Sequence, residues 1–544
     1  MSRRSPEGVQ LALLRGFFAA AAEEMGSTLM RAAHSPNITE RLDHSCAVFD
    51  SRARLVAQAA HIPVHLGSMP RAVEAALALA PFRPGDVVLL NDPFAGGTHL
   101  PDLTLVSPVF LGRERTPSFF VASRAHHADV GGAAPGSLPL AREIYEEGLR
   151  IPPVFLRRAG ATDEGLLGLI LANVRTPEER RADLAAQVAS QRAGELRIMD
   201  LAKRLGAAAL RSGATALQAA TERQARAALA RLPKGRWSAE DLLDDDGLGT
   251  RDIRIACTLT LGGGRCRIDF TESSTQVAGP LNAVRAVTTA ASLYAVRLVL
   301  AEDIAIDDGL IRSIEVVTRP GSVVDPLPPS AVGGGNVETS QRLVDTVLRA
   351  FAKALPGRMP AASSGTMNNL LIGGVDPRTG LPFAYYETLG GGHGASPDRD
   401  GASAMQVHMT NTRNTPIESL EHAYPLRVER YAVRRGSGGA GLQRGGDGIE
   451  RAIALLSPAR VTVIAERRTR GPWGLAGGDD GAPGETLVRS GRTGGAARKL
   501  SPKFTLDLAE GTVLTLRSPG GGGWGRPRNR QRRAKTRKPT TGGR

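Results

Sequence analysis

Glycine limits what this chain can build more than any other residue. There are 64 glycines in 544 residues, and after residue 365 they collect in the runs Gly390 to Gly392, Gly436 to Gly441 and Gly520 to Gly523. A glycine has no side chain to pack and loses the most backbone freedom on folding. These runs therefore read as long, ordered loops between regular elements. With 35 prolines as well, many turns and backbone-lined surfaces are expected. Hydrophobic residues at 41% and charged residues at 23% give the ordinary balance of a globular protein with a substantial core.

Periodicity predicts a mixed α+β, multi-domain architecture. Residues 8–33 have helical spacing, as do residues 71–80. Val87 to Leu90, Leu103 to Phe110 and Phe119 to Ser123 read as strands ending in polar turns. Residues 1–172 form an α/β unit on this reading. Residues 173–235 form a helical segment: Thr176-Pro177-Glu178-Glu179 has the capping-box pattern, and the Ala-, Leu- and Arg-rich stretches after it suggest a helical hairpin. Residues 236–525 return to α+β, beginning with a β-hairpin across Gly262-Gly263-Gly264. Helices come next at Val284 to Leu300 and Leu343 to Leu355, with strands at Ile314 to Val317, Val461 to Ala465 and Thr512 to Leu516.

The formal net charge is +15, but residues 526–544 hold nine Lys or Arg and no acid. That tail reads as a solvated, disordered terminus. Aromatics are only 4%, too few for base-stacking platforms, so nucleic acid is not an expected partner. Cys46, Cys257 and Cys266 are sparse, odd in number and lack CxxC spacing, which argues against a disulfide framework and a zinc ribbon. The apolar stretch from Leu11 to Ala22 is broken by Arg15 and followed by Glu23-Glu24, so it reads as an amphipathic helix and not a leader. No run approaches bilayer length. A cytoplasmic, membrane-free protein is expected.

Histidine is unevenly placed: seven of ten lie between His34 and His127. Thr98-His99-Leu100-Pro101-Asp102 and Ala125-His126-His127-Ala128-Asp129 each contain His-x-x-Asp, 27 residues apart, each after a predicted strand. Imidazole nitrogens and carboxylate oxygens together suit Zn, Mn or non-haem Fe, and three protein ligands leave a coordination position open. The expected ligands are His99, Asp102 and His126. Asp92, Asp129 and His127 are candidate catalytic groups beside them, the two carboxylates serving as fourth ligand, supporting partner or general base. His61 and His65 line the same pocket or lie bonded to backbone in the core.

Ala331 to Asn336 and Ser518 to Gly523 are glycine-rich, yet neither matches a phosphate-loop or dinucleotide pattern. No self-contained nucleotide site is expected, although loop amides of this kind can hold a phosphorylated substrate or an oxyanion. Asn336, Glu338 and Arg342 are candidate substrate-binding residues, with Thr339 or Ser340 as the alternative cap of a helix.

The segments Ser35 to Cys46, His61 to Met69, Asn91 to Asp102, Arg124 to Gly132, Gly279 to Asn282, Gly334 to Arg342, Ser364 to Asn369 and Ser518 to Gly525 resemble, in order, the hydantoinase B/oxoprolinase family. That resemblance covers nearly the whole chain. It implies a hetero-oligomer in which a hydantoinase A-type partner binds ATP and phosphorylates the carbonyl oxygen of a small cyclic amide. The B-type chain then opens the ring with a metal-activated water. In carboxylase relatives a divalent metal sits at the two His-x-x-Asp segments, which carries over to His99, Asp102 and His126. The resemblance leaves two alternatives: a subunit of an ATP-dependent ketone carboxylase, or a non-catalytic scaffold for the A-type partner.

Overall fold

The computed structural model describes residues 7–59, 62–65, 67–300, 304–490 and 496–527. His61 and nearly all of the basic tail lie outside them.

The N-terminal half is built on a seven-stranded antiparallel sheet, ordered β2-β1-β5-β4-β3-β6-β7. Its strands are β1 (His44–Asp50), β2 (Leu55–Gln58), β3 (Val87–Leu90), β4 (Asp102–Val109), β5 (Phe119–His126), β6 (Val154–Arg158) and β7 (Ala161–Thr162). Every residue of β1, β3, β4 and β5 is buried. Such strands are covered on both faces and therefore read as apolar runs without alternation. One face carries the helices Glu7–Ala32 and Pro177–Leu205. Phe18, Met25 and Leu29 of the first pack with Ala186 and Ile198 of the second over Val48, Phe119 and Val121. The helix Met69–Leu77 covers the other face through Met69, Ala72 and Val73.

The helical hairpin is modified in two ways. Pro177–Leu205 and Ala207–Ala230 do follow each other through Gly206, which takes a positive φ of 87°. The long helix nevertheless packs chiefly against Glu7–Ala32. Thr176 stands at the N-cap without a side-chain capping bond. Glu179, the expected reciprocal partner, pairs with Arg180 instead.

Among the described residues there are three smaller sheets. The first holds β8 (Gly235–Asp245), β9 (Arg251–Gly262), β10 (Arg265–Asp269) and β11 (Ile314–Val317). Gly263 and Gly264 turn the β9–β10 hairpin with φ of 60° and 69°, the left-handed pair that a two-residue hairpin turn needs. The second holds β12 (Asn369–Val375), β13 (Pro382–Glu387), β16 (Ala459–Ile464) and β19 (Lys503–Leu508). The third holds β14 (Leu426–Arg434), β15 (Gly448–Leu455), β17 (Glu485–Arg489), β18 (Arg498–Lys499) and β20 (Val513–Arg517). A single hydrophobic cluster runs from Ile62 through Leu184, Leu243 and Val287 to Met409, joining the seven-stranded sheet to the β8–β11 sheet and its helices.

The glycine runs are not free loops. Extended segments lie side by side and bond across one another: Gly439 N–H to Gly521 O (2.9 Å), Gly521 N–H to Gly446 O (2.9 Å), Gly446 N–H to His393 O (2.9 Å) and Gly522 N–H to Ala362 O (2.8 Å). A Cβ built on Gly392, Gly445 or Gly521 falls 1.9 Å from a neighbouring carbonyl oxygen. Only glycine permits backbones to approach this closely.

Candidate metal centre

Register assembles the centre. β4 begins at Asp102, β5 ends at His126, and these two residues are direct cross-strand partners. Directly opposed side chains project from the same face with Cβ atoms about 5 Å apart. Asp102 and His126 thus meet at the ends of two fully buried strands. His99 arrives from the preceding turn, which closes through Asp102 N–H to His99 O (3.1 Å). That turn is held by Asn91, whose amide donates to Leu100 O (2.8 Å) and Leu149 O (2.9 Å) and accepts from Ile151 N–H (2.7 Å). Gly96 and Gly97 let the loop pass its neighbours: a Cβ there would lie 2.5 Å from Arg71 O and 2.4 Å from Asn91 O.

His99, Asp102 and His126 offer ligand atoms that all lie within 4.8 Å of one another. All three side chains are buried. His99 Nε2 stands 3.3 Å from Asp102 Oδ1, yet both ring nitrogens of His99, Nε2 of His126 and Oδ1 of Asp102 have no hydrogen-bond partner. Buried polar atoms are rarely left unpaired. One such atom from each of the three residues converges with the others, a donor set of two imidazoles and a carboxylate that suits a divalent cation. The protonation states fit. Burial alone would raise Asp102, but His99 and His65 outweigh it and hold the carboxyl well below its ordinary value. Burial, reinforced by His99, pushes His126 well down, leaving a neutral imidazole.

Surrounding groups orient the ligands. His65 Nε2 lies 3.4 Å from Asp102 Oδ2, and its Nδ1 is 2.9 Å from Ser45 Oγ. The Thr98 hydroxyl donates to the same Asp102 oxygen. Asn37 Nδ2 sits 3.4 Å from His126 Nδ1, and Tyr386 stacks on the His126 ring at 4.6 Å and 12°. Of these, only His65 stands out in the sequence, and there its role is open. The rest come together from remote segments.

The other expected catalytic groups face elsewhere. His127 follows His126, so its side chain takes the opposite face. Its Nε2 meets Gln187 Oε1 (3.0 Å) on the helix Pro177–Leu205. Asp129 is fully buried but pairs with Arg175 (2.8 Å) and accepts from the amides of Gly131 (3.0 Å) and Arg175 (3.0 Å). Asp92 caps Phe94 (3.0 Å) and pairs with Arg150 (2.8 Å). Both carboxylates are engaged in ion pairs outside the cluster, where they brace turns.

The substrate-binding trio divides. Arg342 is enclosed by Asp241 and Glu466, 3.3 Å from each, and so has no free charge for a ligand carboxylate. Glu338 accepts from Asn369 Nδ2 (2.7 Å), and Asn369 accepts from the Tyr386 hydroxyl (3.0 Å). This chain of bonds joins Glu338 to the ring stacked on His126. Glu338 Oε2 and Asn336 Oδ1 are buried without partners. Both residues lie in a π-helical turn, Gly335–Thr339, that runs directly into the helix Ser340–Ala354, and neither Thr339 nor Ser340 caps it by its side chain. The expected oxyanion loops are also occupied. Val332 and Gly333 donate to the Glu147 carboxylate (2.9 and 2.8 Å), and the amides of Gly520 to Gly523 bond other backbone segments.

The sequence profile described as Hydantoinase B/oxoprolinase matches residues 7–527. The chain is 39% identical to an uncharacterized protein of Methanocaldococcus jannaschii, covering 94% of this chain and 89% of that protein. It is 38% identical to 5-oxoprolinase 1 of Arabidopsis thaliana over 95% of this chain, but it spans only 42% of the plant enzyme. A Pseudomonas sp. protein, named as the B-type subunit of a D-/L-hydantoinase, is 29% identical, covering 98% of this chain and 92% of that protein. In structure the chain resembles the ATP-dependent caprolactamase of Pseudomonas jessenii, with TM-score 0.88, 28% identity, and coverage of 96% and 93%. It also has the fold of acetone carboxylase, with TM-score 0.89, 18% identity, and coverage of 95% and 76%. The profile match and the shared fold therefore define a class. This chain belongs to the hydantoinase B/oxoprolinase family. Among the described residues, no helix is long and apolar enough to cross a membrane.

Proposed function

We propose that this chain is the B-type subunit of an ATP-dependent cyclic-amide hydrolase. An A-type partner phosphorylates the amide oxygen, and the activated ring is opened at the His99–Asp102–His126 centre. The convergence of these three buried, unpaired ligand groups carries the reading. The 5-oxoprolinase, hydantoinase and caprolactamase relatives support it.

A divalent metal (Zn, Mn or Fe) held by these three residues would supply a Lewis acid and lower the pKa of water. The protein contributes the ligand geometry and an environment sealed from bulk solvent. His65 and Thr98 fix the Asp102 carboxylate, while Asn37 and Tyr386 fix the plane of His126. With Asp92 and Asp129 committed to arginines, Glu338 and Asn336 carry buried side-chain oxygens without partners, and Glu338 is linked through Asn369 to the Tyr386 ring stacked on His126. They are proposed to face the amide.

Co-purification with the A-type partner, followed by assay of ATP-dependent phosphate release with 5-oxoproline, hydantoin and caprolactam, tests the proposal. Ring opening is expected only with both subunits and ATP. Turnover by the lone chain contradicts the division of labour, and a requirement for bicarbonate identifies a carboxylase.

A further inference from the structure

The largest fully buried side chains include six arginines: Arg41, Arg124, Arg180, Arg342, Arg451 and Arg467. Four are neutralised by carboxylates. Arg180 pairs with Asp183 (3.0 Å), Arg342 with Glu466 (3.3 Å), Arg451 with Glu387 (3.0 Å) and Arg467 with Asp345 (2.9 Å). Arg124 has no carboxylate, but each of its nitrogens is bonded, to Thr104, Ser68 and Gly96 O. Arg41 has neither arrangement. Its Nη1 donates to Asn37 Oδ1 (3.1 Å) and to Tyr386 O. Its Nε and Nη2 are buried with no partner, and among the described residues no ion pair reaches it. Asp43 feels its charge without forming a contact pair. Burying a cation this way is costly unless an anion arrives to meet it.

The same two side chains that hold Arg41 also hold the metal centre. The Asn37 amide joins Arg41 on its oxygen side to His126 on its nitrogen side. The Tyr386 ring carries the guanidinium at 4.7 Å and the His126 imidazole at 4.6 Å. An unspent guanidinium edge and a site for a divalent cation thus stand one amide and one ring apart. Guanidinium presents paired donors that match the oxygens of a phosphate.

We infer that Arg41 is the receptor for the phosphoryl group of the activated substrate. This inference rests on the amide-hydrolase reading. Hydantoin and caprolactam carry no carboxylate, so the anion common to all ATP-activated amides is the phosphate on the former carbonyl oxygen. Arg41 holds that group beside His99, Asp102 and His126, the residues that would hold the cation.

The test uses the full chain loaded with Mn(II), inorganic phosphate as probe, and titration calorimetry. The variants are Arg41→Met and Arg41→Lys. Wild type is expected to bind phosphate. Arg41→Met is expected to bind it about a hundredfold more weakly, keep its metal, and unfold at the same or a higher temperature, because an unpaired buried charge has been removed. Arg41→Lys is expected to fall between them. Equal phosphate binding by wild type and Arg41→Met, no binding by wild type, or a large fall in unfolding temperature for Arg41→Met overturns the inference. Arg41-dependent binding of 5-oxoproline without phosphate binding also overturns it, assigning the arginine to a substrate carboxylate. The titration needs neither ATP nor a partner. Failure of the amide-hydrolase reading appears separately, as absent ATP-dependent ring opening by wild-type complex.

Discussion

Adding one methyl group at Gly521 tests how the glycine segments hold together. A Cβ on Gly521 lies 1.9 Å from His393 O, 2.3 Å from His393 C and 2.7 Å from Gly394 N. Ordinary contact needs roughly 3.5 Å, so the two backbones must separate by about 1.5 Å. That movement breaks the bonds that join these two segments, Gly392 N–H to Pro519 O (3.1 Å) and Ala395 N–H to Gly522 O (2.9 Å). Overpacking costs about 1–3 kcal/mol, and each buried bond about 1 kcal/mol or more. Gly521→Ala should therefore destabilise by roughly 3–6 kcal/mol, a large share of the total stability of about 5–15 kcal/mol usual for a folded domain. Gly16→Ala is the control. Gly16 sits within Glu7–Ala32 with nothing within 4 Å of the position its added methyl would take, so the same change should stabilise by up to about 1 kcal/mol. Urea denaturation of both variants against wild type reads the difference. Gly521→Ala within about 1 kcal/mol of wild type would refute the close-packed account of these runs.

Three further outcomes are expected. Burial lifts Glu147 to about 8 against the amides of Gly333 and Val332 that bond it, so the native state holds a proton the unfolded chain releases, and this residue's contribution to stability falls as pH rises from about 4.5 to about 8. His127, lowered by burial to about 4, acts oppositely below its ordinary value, so Glu147→Gln should flatten the slope most cleanly between pH 6.5 and 8; an unchanged slope in pH-dependent denaturation would refute the assignment. His65→Ala removes one of the two partners of Asp102 Oδ2 and should weaken metal affinity about 10–100-fold by competition with a chelating dye, whereas unchanged affinity would make His65 a bystander. Asp129→Asn breaks the pair with Arg175 and should lower the unfolding temperature while leaving metal content intact; loss of metal would return Asp129 to the centre.

The ligands are more legible in the sequence than their surroundings. Val87–Leu90 and Ile314–Val317 have the bounds their apolar runs suggest. β5 runs three residues past the expected end at Ser123, through Arg124 and Ala125 to His126, because Arg124 is bonded inside the fold by Thr104 and Ser68. Those three residues put His126 opposite Asp102. Strand alternation separates His126 from His127, but only once that longer strand is known. Asp92 and Asp129 sit in the turns where catalytic residues gather, and the arginines that claim them are 58 and 46 residues away in sequence. Arg342 misleads for the same reason, since Asp241 and Glu466 come from distant strands and loops. The glycine runs lack a phosphate motif, and the structure shows their amides turned toward the chain's own carbonyls and toward Glu147.

The most direct test of the centre is metal content by elemental analysis of the purified chain, beside His99→Ala and His126→Ala. The account predicts about one equivalent of a divalent metal in wild type and its loss in both variants, with folded spectra retained. A well-folded wild type that takes up no metal when Zn, Mn or Fe is supplied, or variants that keep it, would contradict the assignment of His99, Asp102 and His126 as the metal site.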